Sequence, residues 1–456
     1  MSSLKLEYRI NGQGPTSLTQ SQTVVLLAGD TVEISAGQDV SWSGASSTPS
    51  SVTVSDLQTT PRKWSGQISS TVDDSVRYTI TAKLVGASAS SKINLELRIN
   101  AQDRRNGDYQ VFATNGTRQT LKLDFDRKTY RMTDAAGVAE SGVIGLDATA
   151  SGTFVFSSAR TGGSINNARF RVSLAPDYVV VGAYPFAMPG GTAAVRPFVA
   201  SRAPIKSPAD LDGSFNGLGI SMVGTTPDSS INNLRISGRG TTLYDCTDDR
   251  IYNTNFCPLG SLKTYSVTKG VTDGVWRAVN NADSSDVRNF SVVKFDDDRV
   301  YLEAEQPSFD SFRFRVGVMV DSSTYTSVMT AYGAATDGSW GRSVTKPGRS
   351  VLVEYPLARQ SSALQGLPTS DDGLERLYTR SAVGLDGTAL ELSAFVGMID
   401  VLLPVSESTI SFPRGLGYAL MTPTSYFTAR SPQLFARIGP RVPGAAGYLE
   451  IGLIER

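Results

Sequence analysis

Period two dominates the chain. Val52-Thr53-Val54, Tyr78-Thr79-Ile80-Thr81-Ala82 and Ile93-Asn94-Leu95-Glu96-Leu97-Arg98-Ile99 alternate apolar and polar residues. So do Leu121-Lys122-Leu123-Asp124-Phe125 and Phe312-Arg313-Phe314-Arg315-Val316. Successive side chains of a strand point to opposite faces, so this alternation marks half-buried strands in antiparallel sheets. Turn dipeptides separate the strands: Asn106-Gly107, Asn115-Gly116, Asp273-Gly274, Asp337-Gly338 and Asp386-Gly387. Glycine there supplies the positive φ that tight hairpins need. The clearest hairpin runs from Tyr109 to Phe125 about Asn115-Gly116. Only Pro208 to Leu211 and Asp371 to Tyr378 read as short helices. The pattern predicts an all-β protein.

The same pattern divides the chain. Residues 1–102 carry strand, turn and strand over Val24 to Ile34, then Trp42, Trp64 and two clean strands ending at Ile99. Short strands at this spacing suggest a small β-sandwich, and the segment resembles the immunoglobulin-like modules of bacterial surface proteins, without their Cys…Trp…Cys signature. A polar joint, Gln102 to Gly107, follows. A β-rich domain is expected over 103–205 and a second over 206–349. A C-terminal β region, 350–456, either stands alone or completes the preceding domain. Both middle blocks contain an Arg-Phe-Arg strand, Arg169-Phe170-Arg171 and Arg313-Phe314-Arg315, which suggests an ancient duplication. Antiparallel sandwiches or barrels are the expected form of these domains.

Length supports several domains: 456 residues exceed one ordinary domain. Lys+Arg and Asp+Glu are each 43, which disfavours partners held mainly by charge, such as bulk nucleic acid. Histidine is absent, and that removes Ser-His-Asp and Cys-His machinery and the usual zinc sites. No metal site and no cofactor is expected. No apolar run reaches the roughly 20 residues of a membrane helix. Met1-Ser2-Ser3 leads straight into Leu4-Lys5-Leu6-Glu7-Tyr8, without a signal peptide. Two origins fit: a mature secreted protein whose leader has been removed, or a virion component.

Cys246 and Cys257 are the two cysteines. A near pair enclosing a polar, turn-rich segment is expected to form one local disulfide, which contributes about 3 kcal/mol by chain entropy; two buried free thiols are the alternative. The chain has 32 Arg against 11 Lys, a bias associated with high-GC genomes. Gly107-Asp108-Tyr109-Gln110-Val111-Phe112-Ala113, Leu211 to Ile220 and Val300-Tyr301-Leu302 resemble the phrasing of β-rich envelope lipoproteins of high-GC proteobacteria. That resemblance covers about half of the chain and implies no functional residues.

Candidate chemistry is sparse. Ser-x-x-Lys occurs at Ser266/Lys269, Ser291/Lys294 and Ser343/Lys346. The tetrad works on a helix, but all three copies look like strands, where the two residues point apart. Acidic groups at Asp245/Asp248/Asp249, Asp296/Asp297/Asp298 and Asp371/Asp372 read as solvated turns, with calcium ligation or a glycosidase carboxylate pair as alternatives. Asp210-Leu211-Asp212-Gly213 resembles the start of a calcium loop, but Ser221 replaces its final glutamate. Most aromatics share a face with Val and Leu and read as core. The expected function is therefore non-catalytic: an extracellular or cell-envelope protein that binds a protein or polymer surface, or that self-assembles. The alternatives are a phage or virus structural protein, and a carbohydrate-active enzyme.

Overall fold

Antiparallel pairing carries nearly all the regular structure. The computed structural model describes residues 4–454 except 47–54, 69–74, 87–91, 159–167, 189–192, 224–225, 248–253, 296–297, 309–310, 320–328, 337–339, 346–375, 384–388, 398–415, 422–423, 431–432, 439–446 and 448. The strand expected at Val52-Thr53-Val54 and the turns at Asp337 and Asp386 lie outside the described residues. Elsewhere the protein is all-β: its described helices are single 3₁₀ turns, Pro208–Asp210 and Thr254–Phe256. The helix expected from Asp371 to Tyr378 is corrected in part, because Arg376–Val383 is a strand paired with Ala389–Gly397.

The chain divides into two compact units, 1–106 with 124–127, and 107–123 with 128–456. The first is a sandwich of a five-stranded and a four-stranded sheet. Strands such as Thr31–Ala36 and Lys92–Ile99 bury every second residue. Ile34 and Trp64 from one sheet and Leu26, Ile80 and Leu97 from the other form a single core.

The second unit is built on two closed eight-stranded barrels, one over Gly107–Ala113 to Ala193–Ser201 and the next over Gly213–Val223 to Ser311–Met319. Each is a meander of neighbouring strands. Each closes by pairing its last strand with its first: Val111 opposite Ala200 in one, Leu218 opposite Val316 in the other. Closure removes the free edges that an open sheet would expose. Eight strands leave an interior just wide enough for side chains to fill. In the first barrel the filling is aromatic. Phe156 packs against Tyr130 at 4.8 Å, Phe170 at 4.5 Å and Tyr184 at 5.3 Å between ring centroids. Outward positions include the exposed Lys122, Thr129 and Arg131, with Val143 opposite Thr129. No described helix is long and apolar enough to cross a membrane.

A six-stranded sheet lies against both barrels. Its order is Trp340–Thr345, Met329–Ala335, Leu449–Ile454, Leu434–Ile438, Thr424–Arg430 and Leu416–Met421. Leu434, Ile438, Ile451 and Leu453 from this sheet share one core with Phe112, Val181 and Val199 of the first barrel. The same core takes Leu218, Leu302, Phe314 and Val316 of the second. The Arg171 guanidinium stacks on the Tyr332 ring at 3.7 Å, adding a polar tie between the first barrel and the sheet.

The two Arg-Phe-Arg strands are not equivalent. Arg169–Val172 is the sixth strand of its barrel, and Phe170 is buried among lumen aromatics. Ser311–Met319 is the eighth strand of the other, and there Phe314 belongs to the outer core. The motif therefore does not mark corresponding positions, although the two barrels share one meander plan.

Because one core joins both barrels to the C-terminal sheet, a cavity in that sheet should weaken both. Ile451→Ala is expected to cost about 2–5 kcal/mol. In calorimetry the whole second unit should melt earlier as one transition, with the first unit unchanged. Near-UV circular dichroism from Trp276, inside the second barrel, should follow the shifted transition. A Trp276 signal that melts at the wild-type temperature would contradict the shared core.

Candidate functional site

Charge concentrates inside the second barrel. Along Asp298–Ser308, the outer core takes Val300, Leu302 and Ala304, so Tyr301, Glu303 and Glu305 fall on the lumen side. On the neighbouring strand the outer core takes Phe312, Phe314, Val316 and Val318, which turns Arg313 and Arg315 inward. Hairpin register sets Glu303 opposite Arg315 and Glu305 opposite Arg313. Asp245 and Arg288 enter from two other strands. Asp245 and Glu303 are 0% exposed, Arg288 2% and Arg315 5%.

These groups form one network. Arg288 Nη1 is 2.6 Å from Asp245 Oδ2, and Arg315 Nη1 lies 3.6 Å from the same oxygen and 3.3 Å from Glu303 Oε2. Arg313 bridges Glu303 at 2.5 Å and Glu305 at 2.6 Å. Asn232 donates to Asp245 Oδ1 at 2.9 Å, and the Tyr301 hydroxyl donates to Glu303 Oε2 at 2.8 Å. Asp286 accepts from Tyr265 at 2.8 Å and pairs with Lys263 at 3.0 Å. Two further lumen features fit the bulky groups. The Arg288 guanidinium lies 4.3 Å from the Tyr265 ring centroid. At Gly317 a Cβ would come within 3.0 Å of Tyr301 and 3.2 Å of Phe215.

Burial by itself would push the Glu303 carboxyl up; Arg313, Arg315 and Arg288 override it and hold it at about 2. Asp245 is likewise lowered, burial being outweighed by Arg288 and Arg315. Asp286 is lowered against burial by hydrogen bonds from Asn280, Lys263 and Tyr265. Glu305 differs: burial raises it, and Arg313 only partly opposes the shift. The network holds Glu303, Asp245 and Asp286 ionised and paired.

A second feature lies between the barrels. The Asn115-Gly116 turn of the first packs against the second so closely that a Cβ on Gly116, at φ +82°, would sit 2.2 Å from the Glu305 carbonyl oxygen. Beside this contact opens a cleft of about 1080 Å³, lined by Gln110, Arg118, Gln119, Asn289, Glu305 and neighbours from both barrels.

The residues expected from the sequence fall as follows. Cys246 and Cys257 are bonded, with Cα atoms 5.8 Å apart. Ser266–Lys269 and Ser291–Lys294 lie in strands. There Ser266 donates to Asn281 and Ser291 to the Gly274 carbonyl. Ser343 is in a strand, and Lys346 lies outside the described residues. Asp212 accepts the N–H groups of Arg239 and Gly240, and Ser221 sits in a strand, so no calcium loop forms from Asp210 onward. Asp248, Asp249, Asp296, Asp297, Asp371 and Asp372 are outside the described residues. Asp245 and Asp298 are buried rather than in solvated turns, a correction with two causes: barrel closure puts Asp245 inside, while Asp298 pairs with Phe295 on the outer face that the shared core covers. Arg118, Arg288 and Glu303 were not singled out by sequence, and Arg315 was noted only as part of the Arg-Phe-Arg strand. The available signal was Glu-x-Glu facing Arg-x-Arg across one hairpin.

No family model matches the chain, and no curated protein matches it. Among solved structures, the crystal structure of the S-layer protein rSbsC(31-844) aligns over 94% of this chain and 64% of its own, at 10% identity and a TM-score of 0.12. This chain thus spans 64% of the length of that one. A likeness at that level carries no argument about fold or function.

Removing one partner of the network should be costly. Glu303→Gln leaves buried guanidinium groups undercompensated and is expected to lower the stability of the second unit by about 3–5 kcal/mol in denaturant titration. A loss below about 1 kcal/mol would mean that water already reaches the site. The pH response carries a definite sign. Unfolded carboxyls titrate near about 4. Glu303, Asp245 and Asp286 are depressed in the fold, so their contribution is complete above that value and is lost as pH falls through their depressed folded values. Glu305 is raised and acts oppositely, its contribution fading as pH rises through its folded value. With three groups against one, thermal melts should show the second unit weakening below about pH 4.5. A flat profile down to about pH 2.5 would refute the assignment.

Proposed function

We propose that this chain is a non-catalytic binding or assembly protein of the cell envelope or extracellular space. The observation that carries the reading is the filling of both barrels. One lumen holds packed aromatics and the other holds paired ions with apolar side chains. Barrels that enclose a ligand keep that space open. Here recognition falls to outer surfaces. The Cys246–Cys257 bond supports an oxidising compartment. The absence of histidine and the saturated carboxylates support a role without acid–base chemistry.

Fractionation of the native host with an antibody to the chain tests this. The protein is expected in the envelope or medium, oxidised at Cys246–Cys257, open to protease on intact cells and co-sedimenting with isolated envelope. It should release no reducing sugar from a polysaccharide panel. Recovery only in the cytoplasm with free thiols, or only in purified virions, would overturn the envelope reading. Release of reducing sugar would overturn the non-catalytic one.

A further inference from the structure

The cleft between the barrels holds an arginine with no ion-pair partner among the described residues. Its charged lining residues are Arg118, Asp134 and Glu305. Glu305 is fully engaged: Oε1 accepts from Asn289 N at 2.8 Å and Nδ2 at 2.9 Å, and Oε2 pairs with Arg313 at 2.6 Å. Asp134 caps its own turn, accepting from the Ala136 and Val138 N–H groups at 2.9 Å each. Arg118 stands opposite Phe112 on the outward face of the first barrel, where Phe112 is buried in the shared core. Its guanidinium has no hydrogen-bond or ion-pair partner among the described residues. It feels Glu305 only at a distance, while partial burial disfavours its charged form.

A second polar group on the same wall is incomplete. Gln110 uses Nε2 to donate to the Asp273 carbonyl at 2.9 Å, while its Oε1 is buried and accepts nothing. Gln110 pairs with Thr120 one diagonal step from the Phe112–Arg118 pair, on the same face. Such diagonal neighbours lie about 7–8 Å apart. One position therefore calls for an anion, best met by a planar carboxylate that takes two guanidinium N–H groups. The other, the Gln110 carbonyl oxygen, is closed off from the cleft. Leaving the guanidinium unmet in a partly desolvated cleft is unfavourable.

We propose that this cleft binds an acidic saccharide, with Arg118 pairing a sugar carboxylate and the amides and hydroxyls of the wall meeting its ring hydroxyls. A uronic acid carries both groups on one ring. The remaining wall is rich in amides and hydroxyls, including Gln119, Thr120 and Ser285, which suit a polyhydroxylated chain. The volume, about 1080 Å³, lies at the top of the range of about 300–1,000 Å³ for small-molecule sites. That leaves room for several linked sugars. An acidic peptide fits less well. Protein partners anchor large side chains in desolvated pockets, and the one aromatic on this wall, Phe112, is already buried in the core. The proposal deepens the binding reading above and rests on it.

Calorimetric titration of the full chain with a short oligogalacturonate tests the site. Wild type should bind it, and the methyl-esterified oligomer at least about tenfold more weakly. Arg118→Gln should lose at least about tenfold, and Arg118→Lys should fall between because it keeps charge without the fork. Arg131→Gln, an exposed change on a neighbouring strand, should bind as wild type. Unchanged melting temperatures would show that the variants are folded. Equal binding of the ester, full binding by Arg118→Gln, or tighter binding of a polyglutamate peptide would each overturn the proposal. If Arg118→Gln still co-sediments with envelope and binds the oligomer, this site is wrong and the envelope reading survives. If wild type neither co-sediments nor binds any probe, both fall.

Discussion

The second unit depends on an apolar core that belongs to no single element. Phe112 and Val199 from one barrel, Phe314 and Val316 from the other, and Ile451 and Leu453 from the C-terminal sheet meet in it. Strands at this junction are buried on both faces, as in Val180–Ala187 and Val287–Phe295. Burying a large apolar side chain stabilises by about 1.5–3 kcal/mol, so the junction outweighs any single surface contact. It also brings the Asn115-Gly116 turn against the second barrel, and the cleft is what remains beside that contact.

The same core explains why charge lies inside the second barrel. A strand with one face committed to an external apolar core must turn its alternate residues into the lumen. Glu303, Glu305, Arg313 and Arg315 are those alternates. Isolated burial of any one would be prohibitive. Hairpin register places opposite charges side by side, and Asp245 and Arg288 complete the count. Such networks add little net stability compared with apolar filling. Their effect here is to penalise a one-residue slip, which would turn the charges into the apolar junction and the phenylalanine into the lumen.

The first barrel solves the same geometric problem differently. Its lumen is filled with rings in edge-to-face contact around Phe156, and its exposed outward positions include Lys122 and Arg131. One chain thus holds both polarities of a filled barrel. Arg118, unpaired among the described residues, lies at their border, where the first barrel's outward face passes from solvent to core.

Strand content, the Asn115-Gly116 hairpin and the Cys246–Cys257 bond were legible in the sequence, because alternation, turn chemistry and short loop closure are local. Which face of each strand is inside was not. Alternation reports that two faces differ, without saying which one meets solvent. For Phe312 to Val316 the polar residues looked like the solvent face, yet they line the lumen because a second barrel and a sheet cover the other side. Asp245 was read as part of a polar turn for the same reason. The Arg118 position depended on two barrels meeting, and that contact joins residues nearly two hundred positions apart. Local spacing determined the strands and their turns; only packing between distant strands decided where the charges went and where a cleft was left open.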